Sequence, residues 1–144
     1  MTTMTASPHR RAAAIRAGAQ RIRLNALHMG EVQGQGYVGQ ALGAADVLAA
    51  VYLDQLRYRA DDPHWEDRDR FLLSTGHYAI ALYAALAEAG VISREELDTY
   101  GSDDSRLPMS GMASYTPRHG DLGRIARARS DRGCRNGAGS AAPR

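Results

Sequence analysis

The chain has no lysine: all 18 of its basic residues are arginine. Arginine has GC-rich codons and lysine AT-rich ones, so a GC-rich gene is the simplest cause of the bias. The single cysteine, Cys134, excludes a disulfide framework and a cysteine-ligated metal. No apolar run reaches the ~18–20 residues of a membrane span, and no apolar stretch follows Arg10 and Arg11 as a signal peptide requires. Neither a membrane nor an exported protein is indicated, and the cytoplasm is the expected compartment. An apolar share of 44% suffices for a core, and 144 residues fit one domain that works by itself or as part of something larger.

Acidic residues are scarce at one end. From Thr116 to Arg144 seven arginines face only Asp121 and Asp131, which makes this tail +5 and leaves the rest of the chain −3. Such asymmetry points to a nucleic-acid or membrane-surface arm. Against that reading, the tail lacks aromatic residues on which bases could stack.

Along the chain, Ile15, Ala19, Ile22, Ala26 and Met29 recur at three- and four-residue steps, the period of an amphipathic helix from about Arg10 to Met29. Gly30, Gly34, Gly36, Gly39 and Gly43 are too many for a helix interior at ~1 kcal/mol each, so this segment is expected to be a loop. Helical pattern resumes in AADVLAAVYLDQLRY, with Val47, Leu48, Val51, Tyr52 and Gln55 to Leu56 along one side and Asp46 in the first turn. ADDPHWEDRD reads as an exposed connection, and Arg70 to Ser74 as a short buried strand. After Thr75-Gly76-His77 comes an alanine- and leucine-rich helix closed by Gly90. Ser93 and Glu96 have capping-box spacing and open a further short helix to about Tyr100; the stretch after it, with Asp103, Asp104 and Arg106, is loop. One lone strand must pair with something, so the expected class is α/β, an incomplete opening of a domain with helices and a parallel sheet.

Two glycine turns are candidate sites. Ser74-Thr75-Gly76-His77 precedes a helix, whose first amides offer donors to an anion such as phosphate. Gly34-Gln35-Gly36-Tyr37-Val38-Gly39 has dinucleotide-loop spacing but follows no strand, and so fails the context that spacing needs. His28 and His64 are expected to be ordinary surface or loop residues, since nothing pairs them as metal ligands.

The pieces GYVGQALGAADVLAAVY, DPHWEDRDRFLLSTGHYAIALYAALAEAG and SDDSRLPMSGM resemble, in order and spacing, the start of the transketolases, especially the bacterial type whose N-terminal half is a separate subunit. The resemblance covers about Arg10 to Pro117 and implies a partial thiamine diphosphate-binding domain over 1–117, with the cofactor at the edge of a parallel sheet between two subunits. It implies thiamine diphosphate and Mg²⁺ as cofactors, a C-terminal transketolase subunit as partner in a dimer or heterotetramer, and two-carbon ketol transfer between sugar phosphates in carbohydrate metabolism. His77 matches the family's cofactor-contacting histidine. Tyr37 stands where most members carry a substrate-contacting histidine; its hydroxyl keeps a donor there, and the departure points to an unusual ketose phosphate, such as the branched apulose 4-phosphate. No residue takes a catalytic or metal-ligating role. Deoxyxylulose-phosphate synthase, which shares the Ser-x-Gly-His region, is the alternative within enzymes. A small protein binding nucleic acid through its basic tail is the alternative outside them.

Beyond Pro117 the family usually continues as GMEISGGSLGHGL. Arg118 to Asp131 can be written, with freely chosen synonymous codons, as DNA whose next frame encodes that string. Residues 118–144 are therefore expected to be an out-of-frame, disordered Arg/Gly/Ala tail, with Cys134 of no function. The family's Gly-Asp-Gly segment and downstream asparagine, which hold Mg²⁺ and the diphosphate, are not in this sequence. The chain as written is expected to be catalytically incompetent and poorly folded alone.

Overall fold

The computed structural model describes residues 7–62 and 65–111. The tail from Arg118, with Cys134, and the Pro63–His64 pair lie outside the described residues. Helix α1 runs Pro8–Gln33, α2 Val38–Ala50 and α3 Ala79–Glu88. A π-helical turn, Val51–Gln55, extends α2, and 3₁₀ turns occupy Gly76–Tyr78 and Glu95–Thr99.

Helix α1 starts with Pro8 at its first turn, where a missing N–H costs nothing. It ends at Gly34 in the left-handed region (φ 70°), whose N–H reaches Glu31 O at 3.2 Å. Its buried line is Gly18, Ala19, Ile22, Ala26 and Met29, the expected stripe except that Ile15 is only partly buried and Gly18 joins it. Helix α3 is the centre of the molecule: every residue from Ala79 to Ala87 is buried. Its small residues let α1 and α2 pack on it and on each other.

The glycine-rich loop is far shorter than expected. Gly30 lies inside α1 and Gly39 and Gly43 inside α2, leaving 34–37 as the turn. Packing outweighs the ~1 kcal/mol helix penalty at Gly30, because a Cβ there would meet Val38 Cγ2 at 2.6 Å. Helix α2 also has a different phase: Ala41, Ala45, Leu48, Ala49 and Tyr52 face inward, whereas Val47 is 63% exposed. Asp46 is mid-helix and pairs with Arg23 of α1 rather than with a helix dipole.

The expected strand Arg70–Ser74 is not formed. No β-ladder exists among the described residues, and a strand needs a neighbour for its N–H and C=O groups. The segment is instead tied at its start, Asp69 N donating to Arg57 O and Arg57 N to Asp69 Oδ2, both at 2.8 Å. The connection before it is less exposed than its composition suggests. Arg68 is buried and donates to Trp65 O at 2.7 Å, and the Arg59 guanidinium stacks 4.5 Å from the Trp65 ring centre.

The remaining turns follow the sequence. Gly90 takes φ 72° after α3, and Ser93 Oγ accepts the Glu96 N–H at 3.2 Å as a capping box requires. The loop after Tyr100 is not merely solvated: Leu107 is fully buried and Arg106 reaches back to Glu96 at 2.6 Å.

Candidate functional site

Tyr37 is the last residue before α2 and His77 the middle of the 3₁₀ turn that leads into α3. Forty positions apart in sequence, they meet. Their rings lie edge to face, centroids 4.8 Å apart at 86°, and both side chains reach solvent. The contact uses the positive edge of one ring against the face of the other. Both candidate site residues thus stand at one place, where α1 ends and where α2 and α3 begin.

Among the described residues no side chain caps the 3₁₀ turn or the start of α3, so none of their carboxylates or hydroxyls occupies the cap position. A Cβ on Gly76 would touch nothing closer than 3.8 Å.

Sequence reasoning missed a third wall. Gly111 N donates to Gly76 O at 3.3 Å, and Tyr83 Oη, buried in α3, donates to Pro108 O at 3.2 Å. These two bonds strap Pro108–Gly111 across the first turn of α3 and leave Ser110 exposed beside Gly76, 3.8 Å from where its Cβ would stand. The signal available in the sequence was Leu107, an apolar residue amid polar ones, which anchors the strap in the core.

A second tyrosine lies beneath the Tyr37 turn. Tyr100 is 1% exposed, and burial, helped by the neighbouring Tyr37 phenol, pushes its own phenol above the usual range. His28 is elsewhere, on α1, paired with Asp98 at 2.5 Å beside a cleft lined by Arg94 and Glu95 as well. Among the described residues no cluster of three His, Cys, Asp or Glu side chains is arranged to hold a metal. Also among them, no helix is long and apolar enough to cross a membrane.

Residues 15–122 match the family described as transketolase, thiamine diphosphate binding domain. The chain belongs to that family. It is 73% identical over 99 residues to a transketolase family protein of Sinorhizobium fredii, covering 69% of this chain and 36% of the relative. With a 6-deoxy-6-sulfo-D-fructose transketolase subunit of a Clostridium species it shares 44% identity over 75 residues, 52% of this chain and 27% of the relative. Human transketolase is 36% identical over 84 residues, 58% of this chain and 14% of the enzyme. The chain spans well under half the length of these curated relatives. Thiamine diphosphate is thus the cofactor of the family to which residues 15–122 belong.

Proposed function

We propose that this chain is the N-terminal, cofactor-binding part of an enzyme that transfers a two-carbon ketol unit between sugar phosphates, in the cytoplasm and with a C-terminal transketolase subunit as partner. The observation that carries the reading is the contact between Tyr37 and His77, which joins two distant glycine turns into one solvent-facing site in a chain of this family. Bound thiamine diphosphate supplies an electron sink for breaking the bond beyond a ketose carbonyl. His77 offers ring nitrogens that donate to or accept from the cofactor or a sugar hydroxyl. Tyr37 packs its ring against His77 and presents a phenol to the substrate. The donor is an unusual ketose, since Tyr37 replaces the imidazole expected at this place. The Clostridium relative, whose name carries a sulfonated ketose, supports this reading. Mg²⁺ takes its oxygen ligands from segments other than the described residues.

The reading includes a proposal about residues 118–144: they are encoded out of frame, and the chain as written does not turn over. Genomic DNA sequenced from the Tyr115 codon onward should open, in the neighbouring frame, into GMEISGGSLGHGL; absence of that frame would overturn the proposal. The function is tested by restoring the frame after Pro117, purifying the product with a C-terminal subunit and assaying two-carbon transfer from a panel of ketose phosphates. Turnover is expected to fall about 100-fold on His77→Ala, the scale of losing one well-placed donor. Failure of the restored assembly on every donor would sink the ketol-transfer reading, and turnover by the unaltered 144-residue chain would sink the claim that it is inactive.

A further inference from the structure

Two tyrosines are buried beneath the site and are treated differently. Tyr83 and Tyr100 pack ring to ring, centroids 6.2 Å apart at 63°. Tyr83 donates its hydroxyl to Pro108 O, whereas the Tyr100 hydroxyl is buried with no partner among the described residues. Phenylalanine would fill the same space without burying an unpaired polar group. A packing role alone does not explain the hydroxyl.

Its place does. The Tyr100 Oη lies 3.6 Å, and its Cε1 3.7 Å, from the point a Cβ on Gly36 would occupy, and Ile80 Cδ1 lies 3.2 Å from the same point. Gly36 has φ 148°, a conformation that favours glycine, so the space next to the phenol stays free of a side chain at this position. The next residue is Tyr37, whose ring meets His77. Tyr100 itself cannot drift: its N–H is bonded to Leu97 O at 3.1 Å, and Gly101 N to Leu107 O at 2.9 Å.

We propose that Tyr100 is a positioning residue of this site: its hydroxyl, held beside Gly36, sets the turn that carries Tyr37 and thereby fixes the Tyr37 ring against His77. The inference rests on the reading of Tyr37 and His77 as the binding site. It assigns to a fully buried residue a part in a site whose two candidate binding side chains, Tyr37 and His77, are exposed.

The test uses the full chain with ¹³C-labelled histidine, the His77 ring signals being assigned by their loss in His77→Gln. Tyr37→Leu removes the ring that meets His77 and should displace the His77 signals. Tyr100→Phe, which deletes one oxygen, should displace them in the same sense, and so should Gly36→Ala, which puts a Cβ at φ 148° against Ile80 Cδ1 and Tyr100 Oη. Tyr52→Phe is the control, because its hydroxyl is equally buried and unpartnered among the described residues but lies against Tyr58 and Phe71; it should leave His77 unmoved. The proposal is overturned if Tyr100→Phe leaves His77 in place, or if Tyr52→Phe displaces it as far. Neither cofactor nor partner is needed, so a failed transfer assay and a failed displacement are separate results.

Discussion

Tyr52 shows what a single buried phenol does to the molecule. It is 3% exposed, packs against Tyr58 and Phe71, and has no hydrogen-bond partner among the described residues. Burial, with the Tyr58 phenol adding to it, pushes its ionisation far above the ordinary value of 10.0. Burial also raises Tyr58 and Tyr100. In the unfolded chain these phenols lose their protons first, so folded protein binds more protons at high pH. Their contribution is therefore complete below pH ~10 and declines as pH rises above it. The urea midpoint of the full chain should fall between pH ~8 and pH ~11, and less steeply in Tyr52→Phe. At neutral pH Tyr52→Phe should be neutral or stabilising by up to about 1 kcal/mol, because an unpaired hydroxyl leaves the core; a loss larger than that would mean the hydroxyl is bonded.

At the scale of helices, glycines with the same propensity have different consequences. Gly43 lies in α2 with no packing neighbour among the described residues within 4 Å of its missing Cβ, whereas a Cβ at Gly18 of α1 would meet Leu53 Cδ1 at 2.1 Å. Gly43→Ala should stabilise by about 0.5–1 kcal/mol through lower backbone entropy in the unfolded chain. Gly18→Ala gains the same propensity but must push aside the terminal methyl of Leu53 in the π-helical turn, so it should stabilise less than Gly43→Ala. Thermal unfolding of the two variants checks this, and equal shifts of one sign would refute it. Counting glycines therefore misplaced the helix ends: the penalty per residue is the same at 18, 30 and 43, but contact between helices is felt at only two of them.

For the whole molecule, a packed helical layer stands beside a segment without a ladder. Residues 79–87 are buried on all sides, whereas Leu72 is 51% exposed and residues 70–74 pair with no strand among the described residues. Amide hydrogen exchange on the full chain should find α3 protected and Leu72 to Ser74 close to unprotected, since protection follows buried hydrogen-bonded backbone. Strong protection at 72–74 would show that this backbone is paired in solution.

The sequence alone determined the helices whose apolar stripes are unambiguous, the glycine stop at Gly90, the Ser93 cap and, through its ordered motifs, the family. These signals are local: each lies within a few residues and depends on backbone preference or helical period. What only the tertiary structure decided is spatial. It brought Tyr37 to His77, laid the Pro108–Gly111 strap over Gly76, put Tyr100 beside Gly36 and left Arg70–Ser74 without a partner strand among the described residues. Propensity and period describe one segment at a time, whereas these features depend on which segments the burial of α3 draws together.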